Sequence, residues 1–482
     1  VPPLTRRPWL ALAVLILGVA MGMLDSTIVN VALPTIRTSI GADEAALSWI
    51  ISGYALAYGL ILIPAGRIGD RFGHKWVFLI GLVGFTLASL ACGLSQSSLQ
   101  LVLARVAQGL FGGFFYPAVT ALIQLIFTGR DRGRAFAVVG AAIGFCSALG
   151  PLVGGLLIEW LGAAEGWRSI FFVNLPIGAV AIVAAALWLP SGAHGAAARG
   201  ADWFGFLLLG GALVALLVPL IEGQDLGWPL WTWLTLAGGL VLLLCFAAWE
   251  SWLARRGRTT PLVPPHLFSH PAFTGGVVLG MVYFAAFTSI FFTISLLWQA
   301  GLGHTALESG LVSIPFAIGS IAGSTQSATL ARRLGRNVLV IGTALVAVGL
   351  VAVWLVLWLV PAASLSNWEL LPPLLIAGYG SGLFIAPNTQ FIVATVDRTE
   401  AGAASGVIGT VQRIGSAIGI AVIGSVLFGT LDVRGPGDVA RAFAESAAHA
   451  MAVSAGFAVV AFALVFVLPK RVDPRQPALP AD

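Results

Sequence analysis

The chain has 482 residues, of which 58% are hydrophobic and 9% charged, with a formal net charge of +5 and a mean hydropathy of +0.97. A soluble globular domain carries about 25% charged residues, and a surface this poor in charge does not cover a water-exposed fold of this size. Composition therefore excludes a soluble enzyme and points to a polytopic membrane protein. Arginine outnumbers lysine 23 to 2, the bias expected of a high-GC bacterial genome.

The apolar runs, in chain order, are 9–33, 46–66, 76–94, 99–125, 134–158, 167–189, 203–221, 230–249, 272–297, 307–329, 337–360, 370–391, 404–428 and 447–468. Each can cross about 30 Å of hydrocarbon as a helix. A lipid-exposed backbone must satisfy its own hydrogen bonds, which makes helix the default; a barrel needs alternating segments of about ten residues instead. The expected fold class is an all-α polytopic membrane protein with 14 transmembrane helices. The first run lacks a clear small-x-small cleavage site and is read as a span rather than a leader.

The connections alternate in charge. One set carries 19 of the 25 basic residues, among them Arg67, Arg71, Lys75, Arg130, Arg132, Arg134, Arg332, Arg333 and Arg336, whereas the other carries Arg37, Arg168, Arg434 and Arg441. The positive-inside rule places the first set, and both termini, in the cytoplasm. DRFGHK at 70–75 returns as RRLGRN at 332–337, an offset of 262 residues that is too long for six spans alone. This predicts a six-helix half over 9–189, a two-helix insert over 203–249 and a second six-helix half over 272–468, the repeat pattern of secondary transporters.

Polar residues within the runs are the candidates for chemistry. In LDSTIVNVALP, 24–34, Asp25 lies deep in the first span. A carboxylate there costs about 2.5–3.5 kcal/mol on insertion scales and faces a cavity, a relay or a structural partner; Asn30 follows it. In the basic loop GRIGDRFGHK, 66–75, Gly66, Gly69 and Gly73 permit close approach and tight turns. Asp70 suits a neighbouring helix N-terminus, while Arg71 and Lys75 offer charge pairs. In span 4, Arg105, Gln108, Gly109, Gly112 and Tyr116 share a helical face; Arg105 either snorkels to the boundary or biases a nearby carboxylate toward ionisation. In span 5, Gly140, Gly144, Ser147, Pro151 and Gly154 line one face, with Gly155 beside it, a small-residue stripe suited to a moving or sealing helix contact. Span 13 repeats the pattern with Gly402, Gly406, Gly409 and Arg413, which either pairs across helices or snorkels. Phe284, Phe287 and Phe291, with Trp298 after them, line lipid, core or a substrate cavity. Glu308 opens span 10 near the mouth opposite the basic connections.

Other chemistries fail on spacing. Neither lysine follows a glycine, so there is no phosphate loop of the GxxxxGK[ST] type. The six histidines and the three cysteines (Cys92, Cys146 and Cys245) form no metal-ligand or disulfide pattern. No nucleic-acid role, metal or cofactor is expected.

These residues together resemble the major facilitator superfamily, and within it the fourteen-span drug/proton antiporters. LDSTIVNVALP resembles the span-1 signature of that branch, GRIGDRFGHK the loop between spans 2 and 3, and RVAQG the span-4 motif, with Arg105 at the arginine tied to proton transfer. GPLVGG, 150–155, with Gly150, Pro151, Gly154 and Gly155, is similar to the span-5 antiporter motif. WRSIFFVNLPIG (167–178), ADWFG (201–205) and GAASGVIGTVQRIGSAIG (402–419) also look like this branch. The resemblance implies two six-helix halves plus two inserted helices, alternating access, and proton influx driving export of hydrophobic or amphipathic compounds such as antibiotics. It implies proton coupling at Asp25 and Arg105, and a gating loop of Gly66, Asp70, Arg71, Gly73 and Lys75 that stabilises the outward-facing state. Asn30, Gln108, Tyr116, Phe287, Trp298 and Glu308 are the cavity candidates. Two departures stand out: Arg332 replaces the acid in the second-half loop, and Leu297-Trp298-Gln299 stands where the branch carries tyrosine-leucine-glutamine. The expected protein is a monomer of the bacterial inner membrane whose partners are its substrate, protons and lipid. Export of a lipid or metabolite on the same fold is the nearer alternative. A sensor or scaffold is the alternative from another class, and it needs no buried charges meeting at Asp25 and Arg105.

Overall fold

The computed structural model describes residues 7–191, 202–223, 226–256 and 261–469. The described residues are helical with no strands, as apolar runs without water to bond their backbones require. In order, the spans are α1 (Pro8–Ile40), α2 (Glu44–Phe72), α3 (His74–Leu94), α4 (Ser98–Gly112 continuing as Phe115–Ile126), α5 (Gly129–Leu161), α6 (Ala163–Phe172 and Asn174–Trp188), α7 (Trp203–Glu222) and α8 (Leu230–Arg256). They continue as α9 (Pro271–Leu296, ending in a π turn, Leu297–Gly301), α10 (Ala306–Val312 and Ile314–Leu334), α11 (Asn337–Leu359), α12 (Asn367–Val393), α13 (Ala401–Gly429) and α14 (Val439–Leu464). Thirteen of these are long and apolar enough to cross a membrane. The remaining run, 134–158, lies in α5, a continuous helix of 33 residues.

At the end opposite the basic connections, helix starts carry their own caps. Asp43 accepts from the Ala46 N–H at 2.8 Å and Ser97 from Gln100 at 3.3 Å. Thr305/Glu308 and Ser366/Glu369 form full capping boxes. Each satisfies amide donors that a helix leaves orphaned, at about 1 kcal/mol per cap. Glu308 is thus an exposed helix-start acid in contact with Thr305 and His304, and not a group within a cavity.

Helices α1 to α6 pack on one another, as do α9 to α14. The two groups meet along two seams, α2 and α4 against α13, and α5 against α10 and α12. The inserted pair stands outside: α7 touches α2 and α13, while α8 leans on α7 and turns Leu234, Leu240, Val241 and Leu244 outward. The closest crossings are made by glycine. A Cβ on Gly319, Gly378 or Gly382 would land on backbone of the facing helix in the α10–α12 crossing. Small residues let such backbones touch, which is how helices gain packing energy when lipid is as apolar as they are. The basic loops act alike in both groups. Lys75 Nζ donates to the Ala186 carbonyl at the end of α6, 2.8 Å away, and Arg336 donates to the Phe466 and Leu468 carbonyls past α14, at 3.1 and 2.6 Å.

Gly378→Ala drives a Cβ into the Phe316 carbonyl and is expected to cost about 1–3 kcal/mol by overpacking. Gly456→Ala, a helical site with open space around it, should be neutral or slightly stabilising. Thermal unfolding of the two variants in lipid nanodiscs checks the contrast.

Candidate functional site

Five helices bring one buried polar network together. Asp25 of α1 is 0% exposed and Arg105 of α4 is 1% exposed, and Arg105 Nη1 donates to Asp25 Oδ2 at 2.5 Å. Gln108, one helical turn beyond Arg105, donates to Asp25 Oδ1 at 2.8 Å and to Ser89 Oγ at 2.9 Å. Its own carbonyl accepts a second contact from Arg105 Nη1 at 2.7 Å. Asn174, placed at the break between the two segments of α6, donates to Asp25 Oδ1 at 3.0 Å and to Ser89 at 2.9 Å. Arg105 Nε donates to the Ile50 carbonyl at 3.1 Å, and its guanidinium lies 4.1 Å from the Tyr54 ring centroid. The Asp25 carboxylate therefore accepts from three donors, one of them charged. That is the ionised form held by charge-assisted bonds. Arg105 faces inward to this carboxylate and does not snorkel to the boundary. The spacing of Arg105 and Gln108 on one helical face is what lets both reach Asp25.

Ser89, Asn174, Tyr54 and Cys92, whose thiol lies 3.5 Å from Gln108, complete the shell and were not singled out by sequence. Neutral polar residues inside apolar runs are common. The one signal was Asn174, two residues before Pro176 within WRSIFFVNLPIG, where the helix breaks.

The loop between α2 and α3 forms a second site, at the basic end. Asp70 accepts from the backbone N–H groups of Gly402 at 2.9 Å and Ala403 at 3.1 Å. Its carboxylate thus caps the N-terminus of α13, where the helix dipole favours negative charge. His74 and Arg67 flank it at 3.2 and 3.7 Å. A Cβ on Gly66 would strike the Gly402 carbonyl, and one on Gly402 would strike Gly66, so the two backbones touch. This contact bridges the two six-helix groups at the basic end. Arg67 also donates to the Pro261 and Leu262 carbonyls, and His266 contacts Glu400 at 2.9 Å, which raises the imidazole pKa above its usual value. Gly73 supplies a positive φ of 98° between α2 and α3. Arg71 lies over the Phe72 ring at 5.0 Å and is exposed, so it sits outside this contact. In the second-half loop Arg332 is exposed and its contact is with Thr329 of its own helix, leaving the acid latch on one side.

The remaining candidates separate. Tyr116 lies between the groups, near Gln412 and Thr389, and with Val19, Val119, Phe136, Ile385 and Ala386 it borders a small apolar space along the seam. Phe287 belongs to an aromatic cluster with Tyr283, Phe291 and Phe316. Trp298 is buried in the second group and donates to Asn367 Oδ1 at 3.0 Å; it packs the π turn and does not face the seam. Asn30 is exposed on α1. The span-5 stripe splits between two partners where one face was expected. Gly150 and Gly154 pack on Thr27 and Ile28 of α1, while Gly140, Gly144 and Gly155 face Ser324, Ser320 and Leu307 of the second group. The side chains of Ser147 and Pro151 lie outside the described residues.

Removing one partner of a buried pair costs more than removing both, because the survivor is left charged without a counter-ion. Arg105→Gln should therefore lose about 3–5 kcal/mol of stability, and the Asp25→Asn/Arg105→Gln double variant should recover most of it. A double-mutant cycle by thermal unfolding in nanodiscs measures the coupling; additive losses would show that the pair is not coupled.

The sequence model of the Major Facilitator Superfamily matches residues 15–203 and again 196–420. The chain is 36% identical over 431 residues to a probable actinorhodin transporter of Streptomyces coelicolor, covering 89% of this chain and 74% of that one. It is 33% identical over 470 residues to the puromycin resistance protein of Streptomyces alboniger, covering 96% and 90%. It is 33% identical over 426 residues to the tetracenomycin C resistance and export protein of Streptomyces glaucescens, covering 88% and 77%. Among solved structures, the human organic anion transporter MFSD10 superposes with a TM-score of 0.65 at 16% identity, covering 95% of this chain and 99% of its own; at that identity the likeness concerns the fold. With two matches of the family model that together span most of the chain, and relatives across nearly its full length, this protein belongs to the Major Facilitator Superfamily and is a multi-pass membrane transporter rather than an enzyme.

Proposed function

We propose that the protein is a proton-coupled antiporter of the bacterial inner membrane that exports hydrophobic or amphipathic small molecules by alternating access. The observation that carries this reading is the Asp25 carboxylate, fully buried and saturated by Arg105, Gln108 and Asn174. A proton on Asp25 removes the charge that holds Arg105 and takes one acceptor lone pair from the network, so protonation and local geometry are linked. The relatives named for antibiotic transport and resistance support an outward direction and a drug-like cargo. The basic connections support cytoplasmic termini, which makes the Asp70 seal the cytoplasmic gate and the described conformation closed on that side. The proton gradient supplies the energy, one chain holds the whole site, and lipid surrounds it. A membrane potential of 100 mV supplies about 2.3 kcal/mol per charge moved, which sustains roughly a fifty-fold gradient of neutral cargo per proton.

Asp25→Asn imitates the permanently protonated acid. It should abolish uphill export under an imposed pH gradient in vesicles while sparing equilibrium substrate binding and downhill exchange. Uphill accumulation with undiminished coupled proton movement would move the carrier elsewhere.

Asp70→Asn keeps size but not charge at the α13 terminus. Hydrogen bonds to a charged group are worth about 1.5–3 kcal/mol, so the seal should weaken and efflux fall about tenfold at matched expression. Cysteine pairs placed at non-glycine positions flanking the α2–α13 contact should crosslink less in the variant; unchanged efflux and crosslinking would make the loop a passive connector.

A further inference from the structure

Among the described residues Arg413 has no acidic partner within ion-pair distance. It lies about twelve residues, roughly 18 Å, into α13, near the middle of the span, and is half-buried. It shares the helix face of Gly402, Gly406 and Gly409, which pack on Gly66, Ile63 and Leu62 of α2. The same face carried one turn further from the basic end brings the guanidinium over the Tyr58 ring, 4.3 Å from its centroid. Tyr54 follows, its ring 6.0 Å from that of Tyr58, and Tyr116 is within electrostatic reach. On the lipid side α7 covers this seam, with Leu217 against Gly59. Arg413 thus looks into the seam between the two groups and not into lipid. Among the described residues the acid at this depth is Asp25, and Arg105 already engages it.

An arginine at membrane depth costs about 2.5–3.5 kcal/mol on insertion scales unless it is paired. The Tyr58 face returns a part of that as cation–π attraction, but it leaves the planar N–H fork without an acceptor. That fork matches a carboxylate bidentately. Resting on the proposal of export by alternating access between the two six-helix groups, we infer that Arg413 anchors an anion-binding subsite in the seam between them. It takes amphipathic small molecules that carry a carboxylate, phenolate or sulfonate on a flat aromatic body. The anionic group meets the guanidinium, and the ring meets Tyr58 and Tyr116.

The test is equilibrium binding to the purified chain in phosphatidylcholine nanodiscs, corrected for partition into protein-free discs. Three probes share one aromatic body: pyrenebutanoate, pyrenebutanol and pyrenebutylamine. No gradient is applied, so the ranking is independent of export direction and of proton coupling, which vesicle assays read separately. The acid should bind at least tenfold more tightly than the alcohol, with the amine weakest. Arg413→Gln should bring the acid to within twofold of the alcohol and leave the alcohol where it was. Arg413→Lys, which keeps the charge but loses the fork, should give an intermediate preference. Equal binding of all three probes by the wild type overturns the assignment. So does a Gln variant that weakens acid and alcohol alike, which would make Arg413 a structural cation on Tyr58. If the Gln variant does not insert, the wild-type ranking and the Lys variant decide.

Discussion

One ion pair sets the terms for the rest of the molecule. Asp25 and Arg105 are both withdrawn from solvent at a depth where a lone charge of either sign is expensive. Their mutual attraction offsets the desolvation only if the remaining lone pairs and protons are also satisfied. The surrounding residues do this: Gln108 and Asn174 finish the carboxylate, Ile50 takes the Nε–H, and Ser89 fixes both amides. Each of these comes from a different helix or turn, so α1, α2, α3, α4 and α6 are held in register by one polar knot. A carboxylate on which five helices converge is well placed to transmit a change at that point to the rest of the bundle.

The seams between the two six-helix groups are built differently. Along them glycines meet backbone or side chains of the facing group, with few polar side-chain locks. Gly66 meets Gly402, Gly144 meets Ser320, and Gly155 meets Leu307. Such surfaces slide or part without breaking buried ion pairs. The exception is Asp70, which adds two charge-assisted bonds to the α13 terminus. The second-half loop lacks this acid, so the seal is asymmetric: the first group grips the second, and Arg67 ties the same corner to the connection that follows the inserted pair. The connection after the insert thereby meets this corner, and α7 covers the α2–α13 seam.

The span pattern, the basic end and the Asp25–Arg105 pair were legible from sequence because charge at membrane depth is rare and helical spacing is fixed; Gln108, expected at a cavity, instead completes the Asp25 carboxylate. The rest of the site was not, for physical reasons. Ser89 and Asn174 are neutral, and an apolar run tolerates a stray amide or hydroxyl bonded to its own helix, as Thr86 is to Leu82. Trp298 looked like the end of an aromatic stripe, yet the π turn at Leu297–Gly301 rotates it into the core, and a one-residue helical defect is invisible in periodicity. Periodicity also put the span-5 glycines on one face. A helix wedged between two neighbours uses both flanks of such a stripe, and α5 does so.

The charge arrangement has a consequence for exchange. With Asp25 ionised, the trio Asp25, Arg105 and Arg413 bears one net positive charge, and an anion at Arg413 would cancel it; with Asp25 protonated and no anion, the trio bears two. Trading one proton inward for one anion outward moves two charges down the potential, so about 2.3 kcal/mol per charge at 100 mV is counted twice and the roughly fifty-fold gradient is squared. Coulomb attraction alone would nonetheless favour the anion on the protonated form, the opposite of exchange. Antiport of an anion therefore requires that protonation change the shape of the seam as well as its charge. The two guanidiniums stand on successive tyrosines of α2, Arg105 on Tyr54 and Arg413 on Tyr58. An Arg105 released from Asp25 has the Tyr54–Tyr58 ladder as its nearest aromatic surface. A shift of that ladder by a fraction of a turn would disturb the ring platform under Arg413, so the two sites need only one helical turn of shared structure to be coupled, and no longer path.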